Sequence, residues 1–165
     1  MLLIVNAGSS SLKLKVFEGA EEVAQASVSE IGADGHRVAL KQGLEKAGVP
    51  LSRLSGAAHR VVHGGADLTA TCRVTPEVIA RIKACVPLAP LHNPANLVGI
   101  EAVAALAPDL PQFACFDTAF HATNPDVATT YALPQAAREL GLRRYGFHGT
   151  SYAALVRVLS ARGPL

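Results

Sequence analysis

Tryptophan is absent from the 165 residues, and five phenylalanines and three tyrosines bring the aromatic content to only 5%. Few rings are available to stack on bases, and the arginines and lysines are scattered rather than blocked, which argues against a nucleic-acid partner. Cysteine is scarce. Cys72, Cys85 and Cys115 are odd in number, far apart and never in a Cys-x-x-Cys pair, which argues against a disulfide framework and a zinc site and points to a reducing, cytoplasmic setting. No apolar run approaches the roughly 18 residues of a membrane helix, and Met1-Leu2-Leu3-Ile4-Val5-Asn6 lacks the basic start of a signal peptide. Neither charge sign dominates: 15 basic against 13 acidic residues give a net +2. Charged residues make up 17%, below the roughly 25% of ordinary domains, so part of the surface is expected to be buried by a partner. Neither Gly-x-x-x-x-Gly-Lys-[Ser/Thr] nor Gly-x-Gly-x-x-Gly occurs, which disfavours a Ras-type or dinucleotide site.

What remains is ample apolar material, 50% of the chain. A chain of this length buries roughly 68–70% of the surface its unfolded form exposes, enough for one domain with its own core. Leu2 to Val5 is a short apolar run, and Leu12, Leu14 and Val16 alternate with polar residues. This predicts two strands around the turn Asn6-Ala7-Gly8-Ser9-Ser10. A third strand is predicted over 22–28, a helix over 38–47 after a Gly-rich passage from Gly32, and a fourth strand over 57–62. Thr75-Pro76-Glu77 carries an N-cap, a proline at N1 and an acid in the first turn, opening a helix that ends near Cys85. Asn93-Pro94 is read as the cap of an Ala-rich helix to about Leu106, residues 112–116 as a fifth strand, and Gly149 or Thr150 as the start of a helix stopped by Gly163-Pro164. An antiparallel hairpin followed by alternating strands and helices predicts an α/β fold, a mixed sheet flanked by helices, in one domain over 1–165.

Chemistry-bearing residues cluster at a few places. Gly8 permits close backbone approach and its serine neighbours add hydroxyls, so the turn can cradle phosphate oxygens. A strand beginning at Ser9 would project Ser9, Ser11 and Lys13 from one face; an ordinary hairpin turn with a solvated lysine fits the same spacing. His59 and His63 have the i, i+4 spacing of zinc ligands on a helix, but on a strand they lie roughly 13 Å apart and cannot share a metal. Arg60, beside Gly64-Gly65, suits bidentate recognition of a carboxylate or phosphate, or a structural ion pair. His92 precedes a helix N-terminus, where anions are favoured, or is a plain loop histidine. Asp117 stands at a strand's carboxyl end, where ligands gather in such sheets, or caps a turn. His148, between Gly146 and Gly149 ahead of the last helix, can meet a phosphoryl group.

Taken together, Asn6-Ala7-Gly8-Ser9-Ser10-Ser11-Leu12-Lys13, His59-Arg60-Val61-Val62-His63-Gly64-Gly65, Pro90-Leu91-His92-Asn93-Pro94, Phe116-Asp117-Thr118-Ala119-Phe120-His121 and Tyr145-Gly146-Phe147-His148-Gly149-Thr150-Ser151 resemble the acetate kinase family. The resemblance runs from residue 1 to about 160. It implies the amino-terminal domain of a two-domain kinase with the actin-like, ribonuclease H-like fold, the second nucleotide-holding domain being absent. The implied activity is reversible, Mg²⁺-dependent transfer of the ATP γ-phosphoryl to acetate, giving acetyl phosphate and ADP, by an enzyme that is a homodimer when complete. By the same resemblance Asn6 helps hold the metal and nucleotide phosphates, and Ser9, Ser11 and Lys13 line the phosphate side. Arg60 grips the substrate carboxylate or phosphoryl group, and Val62, Leu91 and Phe147 seat the methyl group. His92 and His148 donate to the transferring phosphoryl, and Asp117 is the essential acid.

At pH 7 acetate, with a pKa near the 4.3 of Glu, is already an anionic nucleophile and needs no general base. Asp117 is therefore expected to orient Mg²⁺ through water or to position the substrate. The chain departs from the family pattern at Tyr152, where His is common, and at Ala66, where Glu is common and Asp67 follows; the segment 17–55 is also shorter. The absent half of such kinases supplies a further arginine, an acidic metal-binding residue and most of the adenosine pocket, so the chain alone is expected to turn over negligibly. The competing expectations are a propionate or butyrate kinase fragment, a non-catalytic remnant that binds anions or a partner, and a sugar kinase or chaperone ATPase of the same superfold.

Overall fold

Along Leu3, Val5 and Ala7, and again along Leu12, Leu14 and Val16, every second side chain is buried, the period-2 signature of strands with one covered face. The computed structural model describes residues 1–32 and 35–163. It contains β1 (Leu2–Ala7), β2 (Ser11–Glu18), β3 (Glu21–Ser29), α1 (His36–Ala47), β4 (Gly56–Val61), β5 (Cys72–Arg73), α2 (Pro76–Ala84), α3 (Asn93–Leu106), β6 (Gln112–Phe116), α4 (Asp126–Thr129), α5 (Gln135–Arg138) and α6 (Gly149–Ser160). The strands form one sheet in the order β3-β2-β1-β4-β6-β5. β1–β2 and β2–β3 are antiparallel, β1–β4 and β4–β6 parallel, and β5 runs antiparallel to β6. This is the mixed sheet expected, with the parallel strands at its centre.

The covered face packs Leu3, Val5, Leu12 and Leu14 against Ala39, Leu40 and Leu44 of α1 and Val103 of α3. A second cluster joins Val61 and Phe116 to Ile82 of α2 and to Leu97 and Ile100 of α3. Gly99 lets α3 ride close on β1, since a Cβ there would come 2.7 Å from the Ala7 Cβ. No helix among the described residues is long and apolar enough to cross a membrane.

Several local expectations are corrected. β2 begins at Ser11, so Ser9 lies in the turn and does not share a strand face with Ser11 and Lys13. Thr75 does cap α2, its Oγ1 accepting from the Val78 N–H at 3.3 Å. Asn93 does not cap α3: His92 occupies the cap position without a side-chain bond, and the Asn93 amide turns inward. β5 has two residues, too few for an alternating pattern, and α4 and α5 are single turns after Pro125 and Pro134. Pro164, expected to stop α6, lies outside the described residues, as do Ala33 and Asp34 of the Gly-rich passage.

Candidate functional site

The carboxyl ends of β1, β4 and β6 open on the same edge of the sheet, where ligands of such folds collect. Asn6 lies near the end of β1, Arg60 near the end of β4, and Asp117 one residue past β6. Arg60 Nε donates to Asp117 Oδ2 at 3.1 Å and Oδ1 at 3.3 Å, and Nη2 donates to Oδ2 at 2.6 Å. Arg60 Nη1 donates to Asn6 Oδ1 at 3.4 Å, and the Thr150 hydroxyl at the start of α6 donates to Asp117 Oδ1 at 2.8 Å. The Asp117 side chain is 2% exposed while that of Arg60 is 36% exposed, so the anion is enclosed and the cation reaches solvent. The Asp117 backbone is fixed too, its N–H donating to the Val61 carbonyl and its carbonyl accepting from the Gly149 N–H.

Arg60, Val62, Leu91, His92, Asp117, Phe147 and His148 line one hollow of about 390 Å³, completed by Leu88, Ala89 and Pro90. A guanidinium, two imidazoles and three apolar side chains expected from distant parts of the sequence thus meet in one place. His148 is held left-handed at φ 58° and ψ 21°, a conformation that costs a non-glycine residue about 1–2 kcal/mol. Its carbonyl accepts the N–H groups of Ser151 and Tyr152, both at 3.0 Å. Ser9, Ser11 and Lys13 lie outside the hollow, with Lys13 directly across the ladder from Asn6. The turn between them is fixed by the Gly8 N–H donating to the Ser11 carbonyl and by His36 Nε2–H donating to the Gly8 carbonyl at 2.8 Å. Tyr152 also lies away from the hollow, stacked on Phe120 at 5.9 Å.

Two further histidines, His59 and His63, are buried and do not line the hollow themselves. His59 Nε2–H donates to Gln112 Oε1 at 2.7 Å, and burial lowers its pKa from 6.5 to about 4, the Gln112 bond acting the other way. His63 Nδ1 accepts from the Gly65 N–H, and its ring meets Tyr145 edge-on at 4.6 Å and Phe147 at 5.7 Å. Burial lowers the His63 pKa as well, so a neutral imidazole supports the Phe147 wall.

Sequence reasoning missed Thr150, Asn93 and Asn96. The Asn93 amide accepts from the His63 N–H and donates to the His63 carbonyl, each at 3.0 Å. Asn96 makes a similar pair of bonds to Val62 and Ala7. The i, i+3 spacing puts both amides on one helical face, but what that face meets depends on a long-range register.

For Mg²⁺ the residues present do not suffice. Each Asp117 carboxylate oxygen already accepts two donors, and no group of three or more His, Cys, Asp or Glu gathers among the described residues. Asn6 alone offers one neutral oxygen, whereas Mg²⁺ takes a near-octahedral oxygen set, usually with one or two carboxylates and substrate phosphates.

The chain is similar to known proteins over most of its length. The acetokinase family profile matches residues 44–159. An acetate kinase of Rhodopseudomonas palustris (strain ATCC BAA-98 / CGA009) is 45% identical over 92% of this chain and 46% of its own length. The crystal structure of Porphyromonas gingivalis acetate kinase superposes with a TM-score of 0.84 at 35% identity, covering 96% of this chain and 49% of that one. A propionate kinase from Francisella tularensis subsp. tularensis SCHU S4 gives the same TM-score at 30% identity. The chain therefore spans about half the length of the relatives it matches, and it belongs to the acetokinase family.

Proposed function

We propose that this chain forms one wall of a short-chain carboxylate kinase site, in which phosphoryl passes reversibly between ATP and acetate to give acetyl phosphate and ADP. The observation that carries the reading is the single hollow in which Arg60, His92 and His148 face Val62, Leu91 and Phe147. In-line phosphoryl transfer needs little covalent help and depends on alignment and charge stabilisation. The apolar side chains would seat the methyl group, leaving the carboxylate toward Arg60. His92 and His148 would donate to the equatorial oxygens of the transferring group. Asn6, with Ser9, Ser11 and Lys13 on the β1–β2 side, would face the nucleotide phosphates.

Asp117 acts in this reading through Arg60. Its saturated carboxylate holds the guanidinium plane, and because acetate is ionised at pH 7 no proton has to be removed. Mg²⁺ would neutralise phosphate charge when bound, but no step is assigned to it, because Asp117 has no acceptor site left for it. The proposed whole enzyme is a homodimer whose second domain supplies the adenosine pocket and another arginine, and loss of such a charge-stabilising arginine costs about 10³–10⁵ in rate.

The hollow is open and larger than acetate, and one methylene changes discrimination by only about 1–3 kcal/mol, so propionate and butyrate belong to the same substrate class. The test is calorimetry of acetyl phosphate with the isolated chain, together with a hydroxamate assay across the three acids. Binding that is lost in Arg60→Met, with negligible turnover, is expected. Kinase-like turnover by the chain alone would overturn the dependence on a second domain, and absence of acetyl phosphate binding would overturn the site.

A further inference from the structure

The parallel ladder of β1 and β4 runs from Leu2 opposite Gly56 to Val5 opposite His59 and ends there. Past that point the two strand ends are joined through a side chain. Asn96, buried on the first turn of α3, accepts the Val62 N–H on Oδ1 at 3.0 Å and donates from Nδ2 to the Ala7 carbonyl at 2.8 Å. The orientation of the amide is forced, because a backbone N–H can only donate and a carbonyl can only accept. An inserted amide occupies a gap wider than a direct hydrogen bond spans. It continues the ladder with a side-chain amide where the two backbones have parted.

The gap matters because of what stands on its two sides. Ala7 follows Asn6, whose amide oxygen meets Arg60 on the proposed phosphate side, and Val62 is part of the apolar wall of the hollow. Gly99, nearly one turn further along α3, brings the helix against the Ala7 Cβ. Asn93 grips the N–H and carbonyl of His63, the residue after Val62. One helix face therefore holds both rims. We propose that Asn96 is a positioning residue whose amide sets the separation between the Asn6–Ala7 strand end and Val62, and with it the width of the hollow. The use of that width rests on the carboxylate-kinase reading; the separation itself does not.

The test compares the chain with Asn96→Leu, of similar size but without either bond, and Asn96→Asp, which keeps an acceptor for Val62 and loses the donor to Ala7. Amide exchange followed by NMR is expected to speed up at Val62 by about tenfold or more in Asn96→Leu, with the β4 ladder amides still protected, and to stay slow in Asn96→Asp. Acetyl phosphate, which would span both rims, is expected to bind about tenfold more weakly to both variants, while inorganic phosphate changes by less than about threefold. Unchanged exchange at Val62 in Asn96→Leu overturns the proposal. So does unchanged acetyl phosphate affinity, or an equal loss for both probes, which a general loosening of the fold would produce. If the unsubstituted chain binds no acetyl phosphate, the carboxylate-kinase reading falls. The Ala7 to Val62 separation in a crystal structure of Asn96→Leu then decides the matter, an unchanged gap refuting the role of Asn96 and a shifted one supporting it. Should Asn96→Leu fail to fold, the same separation measured in Asn96→Asp decides.

Discussion

Arg60 and Asp117 form one ion pair, yet removing either partner should have unequal effects. In Arg60→Met the Asp117 carboxylate, 2% exposed, keeps the Thr150 hydroxyl as its one side-chain donor among the described residues. Breaking a buried pair in this way leaves an uncompensated anion and costs about 3–5 kcal/mol. In Asp117→Asn the remaining guanidinium, 36% exposed, turns to water, and the amide oxygen still accepts one bond, so about 1–2 kcal/mol is expected. The gap of about 2 kcal/mol corresponds to roughly 4–8 °C in melting temperature for a chain of this size. Urea unfolding of the two variants, at constant denaturant slope, measures it. Arg60→Met combined with Asp117→Leu removes the orphaned charge and should cost less than Arg60→Met alone. Equal destabilisation by the single variants, the reverse order, or a double variant worse than Arg60→Met would show that the enclosure of Asp117 does not govern the pair.

Two further outcomes follow from buried positions outside the hollow. His59 stays neutral when folded, its pKa lowered from 6.5 to about 4 by burial, while the unfolded chain takes up a proton near 6.5; its contribution is therefore intact above pH 6.5 and is lost as pH falls toward 4, by about 3 kcal/mol in all. Urea midpoints at pH 7 and 4.5 should show this loss in the parent chain and lack it in His59→Gln, and identical pH slopes would refute it. A Cβ at Gly149 would collide with the Asp117 carbonyl and the Phe120 Cβ, so Gly149→Ala should shift α6, cost about 1–3 kcal/mol by overpacking and weaken acetyl phosphate binding; an unaltered melting temperature together with unaltered affinity would contradict the tight seat of α6.

Local chemistry was legible where a residue's neighbours in sequence decide its state. Alternation at Leu12, Leu14 and Val16 specified β2 because its partners cover one face whatever the register, and Thr75-Pro76-Glu77 specified a helix start because capping is settled within four residues. Asn93-Pro94 has the same local look, yet Asn93 spends its amide on His63, 30 residues earlier in the chain. A buried backbone N–H and carbonyl left by the end of β4 outbid a helix end that water can reach. Arg60 and Asp117 were each recognisable, beside a Gly-Gly turn and at a strand end. Their pairing across 57 residues was not, since it depends on β4 and β6 lying side by side in parallel. Asn96 depends likewise on the ends of β1 and β4 lying side by side, and Thr150 on the seating of α6 against Asp117; by type alone both read as helix-surface polar groups.

The charge balance of the hollow follows from that pairing. Among the described residues Arg60 and Asp117 are the only Asp, Glu, Lys or Arg side chains lining it, and they are paired at contact distance. A phosphoryl group carrying roughly two negative charges at pH 7 therefore finds on this wall hydrogen-bond donors, a shaped apolar seat and one guanidinium already paired with a carboxylate. Donors and shape orient a substrate; stabilising the charge that spreads over the equatorial oxygens takes cations aimed at them. Leu91, 78% exposed at the rim, is likewise a seat covered from one side only. Geometry and charge thus both leave this wall incomplete, and an arginine from the proposed second domain would supply the cation it lacks.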